Sequence, residues 1–174
     1  RLEEAEEAYR QEIEAAPARA SGHSHLGQVL ERSGRPQEAL ESYVRALEWE
    51  PDHAAARFYL GDFLLARGRA AESVAHYRAG LVSEPGRVQA RYNLARALLA
   101  TGEYAGAVEQ LGVVAAARPE DPAPLVDAAS AFVELGKNAE ARGALEQALR
   151  VAGARGEESA ELVAQLERRL AELP

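Results

Sequence analysis

Pro17, Pro51, Pro85 and Pro119 stand 34 residues apart, and no other feature of the 174-residue chain restricts its folding so much. Gly34, Gly68, Gly102 and Gly136 recur at the same interval, midway between the prolines. Leu26, Leu60 and Leu94 form another column, Leu30, Leu64, Leu98 and Phe132 the next, and Tyr9, Tyr43, Tyr77, Leu111 and Leu145 a further one. A fixed period of this length marks a stacked array, in which each unit buries its apolar face against its neighbours.

Each unit reads as two helices. Within 54–67 the apolar residues fall near i, i+3, i+4 and i+7, the spacing of one helix face. Gly68 supplies the backbone freedom that ends this first helix. A second helix over roughly 70–83 must stop before Pro85, which cannot continue a helix interior. Gly27 and Gly61 are expected to let neighbouring backbones approach, and the rings of Tyr43 and Tyr77 to fill the space between paired helices. Leu60 and Tyr43 are therefore expected in the core, and Trp49 is expected to pack on the turn that follows it, as large aromatics usually do.

The unit 20–53, with "HLGQVL" followed by Ala39, Tyr43, Ala46 and Pro51, resembles the tetratricopeptide repeat. In this register full units occupy 20–53, 54–87, 88–121 and 122–155, and a lone second helix precedes them at 1–16. The stretch 157–172, with Leu162, Leu166 and Leu170 on an otherwise charged helix, reads as a cap over the last hairpin. The resemblance implies an all-α, right-handed superhelical solenoid of antiparallel helix pairs, one array over the whole chain. There are departures. His23, Arg57, Arg91 and Leu125 replace the family's usual Trp, Ala95 replaces the Gly after the Leu, Ala128 replaces that Leu itself, and the last unit closes on Gly153. The chain contains no Met and opens inside a helical pattern, as expected of a segment of something longer.

Composition narrows the function classes. A formal net charge of −8 disfavours nucleic acid and anionic membranes as partners, since both need clustered cations. No apolar run approaches the ~20 residues that span a bilayer, so direct membrane insertion is not expected. Without Cys there is no disulfide or thiolate metal site, and the redox compartment is unreadable. The excess of Arg over the single Lys137 is the bias expected of a GC-rich bacterial genome and says nothing of activity.

No catalytic constellation is visible: no glycine-rich phosphate loop, no Gly-x-Ser-x-Gly elbow, no His-Glu-x-x-His pair. His23 and His25, two apart on a helix, point about 200° from each other and read as polar surface residues, with no metal expected. The acidic run "LEEAEEAYRQEIE" reads as a solvated helix face. Neither enzyme activity nor a cofactor is expected.

The family resemblance implies that first helices line the concave face. Places 2, 5, 6 and 9 of each unit make one stripe along that helix by the i, i+3, i+4, i+7 rule. The candidate peptide-binding residues on it are His25 and Gln28; Phe58, Tyr59 and Asp62; Gln89, Tyr92, Asn93 and Arg96; and Asp127. Aromatic anchors among hydrogen-bonding groups suit peptide recognition. Asn93 matches the Asn that family members use to hold a peptide backbone, but His25, Tyr59 and Asp127 take the equivalent places, so there is no asparagine ladder of the sugar-transferase branch. Arg96 and Asn93 alone are too few for a carboxylate clamp on chaperone tails. The expected function is a non-enzymatic module binding a peptide or protein element in its groove. Rival readings are a scaffold that self-assembles into homo-oligomers through the array ends, and an accessory domain of a larger enzyme. A pentatricopeptide RNA binder shares a similar period, but the acidic balance and the Leu-Gly, Tyr, Ala and Pro columns disfavour it.

Overall fold

The structure is a computed structural model that describes residues 1–173, apart from the side chains of Glu157 and Glu158. Among the described residues there are ten α-helices and no strand. Two compact units form, one of residues 1–87 and one beginning at Val88.

The first unit contains α1 (Leu2–Ala15), α2 (Ala20–Arg32), α3 (Pro36–Trp49), α4 (Ala54–Ala66) and α5 (Ala70–Ser83). Here α2 packs on α3 and α4 on α5 as hairpins, α1 lies against α2, and α2 and α3 both touch α4. The second unit contains α6 (Val88–Thr101), α7 (Tyr104–Ala117), α8 (Ala123–Glu134), α9 (Asn138–Gly153) and α10 (Ala160–Glu172). It pairs α6 with α7 and α8 with α9, joins α7 to α8, and lays α10 on α9. The expected cap thus begins later than 157: a single 3-10 turn, Gly156–Ser159, precedes it. Gly156 takes φ +73° there, and the buried Ser159 hydroxyl donates back to the Ala152 carbonyl at the end of α9, which forces the break.

The glycine column ends the first helices by one repeated device. Gly34, Gly68, Gly102 and Gly136 have φ of +76°, +74°, +78° and +69°, a conformation that costs any residue with a Cβ. In each case the next amide reaches back to the carbonyl of the Leu/Phe column. Arg35 donates to Leu30 at 2.9 Å, Arg69 to Leu64 at 2.9 Å, Glu103 to Leu98 at 2.9 Å and Lys137 to Phe132 at 2.8 Å. This is the Schellman closure, which satisfies carbonyls that a helix end would leave bare. Two of the second helices then open with an ion-pair fork. Arg35 grips Glu38 through Nε at 2.7 Å and Nη2 at 2.6 Å, and Arg69 grips Glu72 at 2.6 and 2.7 Å. Arg35 also donates to both oxygens of Glu6 at 2.8 Å, tying α1 to the start of α3.

The cores follow the columns. In the first unit Leu26, Leu30, Tyr43, Leu60, Phe63 and Leu64 form one cluster, with Tyr9, Ile13 and Tyr59 packed against its edge. In the second, Leu145, Ala148, Ala152 and Leu166 form another, edged by Leu125, Leu162 and Leu170. Each large side chain so buried contributes about 1.5–3 kcal/mol. Leu60 and Tyr43 are core residues, 4% and 1% exposed.

Trp49 is not. It is 52% exposed, as the last residue of α3 and one turn beyond Ala46, the last buried residue of that helix. Ser83 and Ala117, its equivalents one and two periods on, are exposed as well. The place sits past the packing surface, and residue type does not change that.

The Gly after the Leu also plays a different part from the one expected. A methyl group on Gly27 would stand 2.5 Å from Cε1 and 2.7 Å from Cδ1 of Tyr43, and one on Gly61 would stand 3.0 Å from Tyr77 Cε1. The missing Cβ accommodates the ring of the paired helix rather than a backbone. Where the sequence has Ala95 and Ala129 instead, the ring column has shrunk to Leu111 and Leu145. Small-with-large pairing is conserved in volume while both partners change.

Candidate functional site

The first helices carry the candidate residues, and each unit holds its own group. In the first unit the half-buried rings of Tyr9, His25 and Tyr59 form a ladder across helices that runs into the buried Tyr43 and Phe63. Tyr9 lies 5.3 Å from His25, His25 lies 6.2 Å from Tyr59, and Tyr59 lies 6.4 Å from Tyr43. Tyr43 meets Phe63 edge-on at 5.9 Å, and the Arg67 guanidinium sits 3.5 Å above the Phe63 centroid. Offset and edge contacts of this kind add about 0.5–1.5 kcal/mol each beyond area burial. Carboxylates from the first helices receive the phenols of the second. Tyr43 donates to Glu31 at 3.2 Å, and Tyr77 donates to Asp62 at 2.6 Å. Burial, then the adjacent Glu31 charge, pushes the Tyr43 phenol well above its ordinary range.

Phe58 is a correction. It is 4% exposed and belongs to the core, its ring lying where a Gly80 side chain would be, 2.5 Å from that position. Ser24, at the same place one unit earlier, is also fully buried and donates to the Ser21 carbonyl. Place 5 therefore turns toward the neighbouring helices in the first unit, and a stripe drawn at four places per helix was one place too wide. His25, Gln28 and Tyr59 are half-buried and Asp62 is exposed.

In the second unit Gln89, Tyr92, Asn93 and Arg96 come from α6 and Asp127 from α8. Arg118 donates to Gln89 at 3.0 Å, and Gln89 in turn donates to the Asn93 carbonyl oxygen at 3.0 Å. The Tyr92 hydroxyl donates to Asp127 at 2.8 Å. Burial, reinforced by that bond to Asp127, pushes the Tyr92 phenol up to about 12. Tyr92 and Asn93 are half-buried, and Gln89 and Arg96 are exposed. Donors and acceptors here are held in position by one another, with polar groups still open to solvent. Such a surface can bind by hydrogen bonding and stacking. Among the described residues no group of three or more His, Asp or Glu side chains is placed to hold a metal ion, and no helix is long and apolar enough to cross a membrane.

Comparison with known proteins settles the family. One tetratricopeptide repeat model matches residues 1–48 and again 25–86, and a second matches 64–124. The chain belongs to the tetratricopeptide repeat family. None of the curated proteins matches the sequence significantly. Among solved structures this repeat protein is similar to YrrB, described as a tetratricopeptide repeat protein with an unusual peptide-binding site. That likeness has a TM-score of 0.80 at 17% identity, over 96% of this chain and 84% of the other. MamA gives a TM-score of 0.78 at 19% identity, over 90% and 91% of the two chains. PilF of Pseudomonas aeruginosa gives 0.72 at 20% identity, over 97% and 82%. At such identities the likeness is one of fold: an all-α solenoid of helix pairs.

The repeat protein also has grooves that column reading passed over. One groove of the first unit, about 400 Å³, lies between α3 and α5 with Leu60 and Leu64 of α4 as its floor. A counterpart of about 350 Å³ in the second unit is lined by Val108, Leu125, Ala128 and Phe132, each two periods on from Leu40, Arg57, Leu60 and Leu64. Their signal in the sequence was the apolar column at Leu40 and Val108, which a first-helix stripe does not include. In the first groove His76 meets the Arg57 guanidinium at 3.4 Å, and burial followed by that charge lowers its proton affinity.

Proposed function

We propose that the chain is a non-enzymatic protein-interaction module that holds a peptide or extended protein segment on its first helices. Tetratricopeptide repeats are in general protein-interaction scaffolds, and the finer reading rests on Asn93. Its amide stands on the exposed side of α6, oriented by Gln89, which is itself held by Arg118. Orienting an amide before a ligand arrives removes part of the ordering cost of binding. An amide can donate to and accept from a peptide backbone at once, and Tyr92 beside it offers a ring fixed by Asp127. In the first unit Tyr59, with His25 and Gln28 next to it, offers the corresponding stacking surface, and YrrB, of the same fold, is described as having a peptide-binding site.

The test is a pull-down from the native source, followed by calorimetric titration of the captured partner. Asn93→Ala is expected to lose about 1–3 kcal/mol of binding, the cost of an unpaired buried polar group. Tyr59→Ala should lose a comparable amount, as aromatic anchors do. Glu41→Ala, exposed on α3, should bind normally. Full affinity in both first-helix variants, with unchanged melting curves, would exclude this surface.

A further inference from the structure

Arg35 and Arg57 are the half-buried arginines of the first unit, and their surroundings differ in one respect. Arg35 is held by the carboxylates of Glu6 and Glu38. Arg57 meets no carboxylate among the described residues. Its Nε donates to the Pro51 carbonyl at 2.9 Å, and its Nη1 lies 3.4 Å from Nδ1 of His76. These neutral contacts fix the guanidinium and leave its charge unanswered. Withdrawing a cation from water without an anion beside it is costly, and most arginines of this unit avoid it by pairing.

Arg57 stands at one end of the groove between α3 and α5. The floor runs along α4 from Arg57 through Leu60 to Leu64, a rise of about 10 Å. Leu40, Val44 and Leu47 of α3 make an aliphatic wall, and Val44 is 42% exposed. Two carboxylates reach the rim, and both are already paired: Glu72 with Arg69 at 2.6 Å, and Glu48 with Arg45 at 3.5 Å. What remains is an aliphatic trough with one uncompensated positive charge. The corresponding groove of the second unit has Leu125 and Ala144 where Arg57 and His76 stand, so a groove of this kind forms without the charge.

We propose that the groove between α3 and α5 binds a medium-chain aliphatic carboxylate, with the chain along Leu60 and Leu64 and the carboxylate on Arg57. A carboxylate answers the guanidinium by charge-assisted hydrogen bonds. An alkyl chain asks for no hydrogen bond from a floor and wall of leucine and valine. A peptide laid there would leave amides unpaired over Leu60 and Leu64, a cost the alkyl chain does not carry. The volume of about 400 Å³ falls within the range of small-molecule sites. The site is independent of the Asn93 surface, which belongs to the other unit.

The probe is octanoate, with 1-octanol and octylammonium as its neutral and cationic counterparts. In calorimetric titration octanoate should bind about tenfold more tightly than 1-octanol, and octylammonium more weakly than either. From hexanoate to octanoate each added methylene should tighten binding, by up to about fourfold. Amide resonances of α3, α4 and α5 should shift on addition of octanoate. Arg57→Gln should erase the preference for octanoate over 1-octanol. Val44→Glu, at an exposed position, should weaken octanoate about tenfold by like charge and carries the same test should Arg57→Gln melt early. Asn93→Ala should bind octanoate as the parent does, so failure of this site and failure of the Asn93 surface are told apart. Absence of binding at millimolar octanoate would overturn the inference, as would equal affinity for octanoate and 1-octanol. Shifts centred on the groove between α7 and α9 would overturn it too, because that groove lacks the cation.

Discussion

If the Gly column exists to receive the ring column, the two must be coupled energetically, and the chain already contains both solutions. Gly27→Ala places a methyl 2.5, 2.7 and 3.0 Å from Cε1, Cδ1 and Cζ of Tyr43. The ring is 1% exposed and its hydroxyl is bonded to Glu31, so it cannot swing away cheaply. Overpacking of this kind costs about 1–3 kcal/mol, offset by about 1 kcal/mol for the better helix propensity of Ala, leaving a net loss of about 0–2 kcal/mol. Tyr43→Leu alone leaves a cavity beside Gly27 and removes the phenol from Glu31, at about 2–3 kcal/mol. The double variant reproduces the Ala95/Leu111 pair of the second unit, so its loss should fall short of the sum by about 1–2 kcal/mol. Gly61→Ala should cost less than Gly27→Ala, because its methyl would stand no closer than 3.0 Å to Tyr77. Urea denaturation followed by circular dichroism on the four members of the cycle measures the coupling. Strict additivity would refute the reasoning, and so would a Gly27→Ala variant more stable than the parent.

Three further expectations follow from the same contacts. His76 binds its proton less readily folded than unfolded, so the folded state gains relative stability above the ordinary imidazole value near 6.5 and loses it as pH falls toward the lowered one. Denaturation at pH 7.5 and 5.5 should show a loss on acidification that His76→Gln reduces; an equal loss in both proteins would contradict this. Trp49, the only Trp, should emit at wavelengths typical of a solvent-exposed indole, and Trp49→Ala should change stability by less than about 0.5 kcal/mol. A blue-shifted native spectrum would place it inside. Gly68→Ala should cost about 1–2 kcal/mol through its φ of +74°, whereas Gly112→Ala, inside α7 with nothing within 4 Å, should stabilise by about 0.5–1 kcal/mol. Equal effects in denaturation would mean that backbone conformation does not distinguish the two glycines.

The helices were legible because the residues that end them do so by covalent geometry alone. A glycine at positive φ and a proline without an N–H act the same way in every unit, whatever packs nearby. The apolar columns were legible for a related reason: in a repeat each buried place is written several times, and Leu30, Leu64 and Leu98 confirm one another. Trp49 shows where this logic was not followed. Judged as a tryptophan it belongs inside; judged by its column, beside Ser83 and Ala117, it belongs outside, and the column was right. The role of Gly27 was misread for a different reason. Periodicity says that a place is small, but whether a backbone or a ring takes up the space is set by the packing of the paired helix.

The candidate surface was less legible, since helical periodicity gives the direction of a side chain to within a stripe and not the position of the neighbouring helix's edge. Phe58 and Tyr59 are adjacent on the stripe, yet Phe58 lies against Gly80 while Tyr59 lies half-open beside His25. A glycine at position 80 admits the Phe58 ring, whereas in the equivalent place of the second unit stands Val114, itself 0% exposed. Tyr92, opposite that fuller helix, stays half-buried and turns its hydroxyl to Asp127. In the first unit the missing side chain of Gly80 thus leaves the room that the Phe58 ring takes. Gly80→Val, which mimics the second unit, would accordingly push Phe58 outward and enlarge the exposed aromatic surface of the first unit at the expense of its stability.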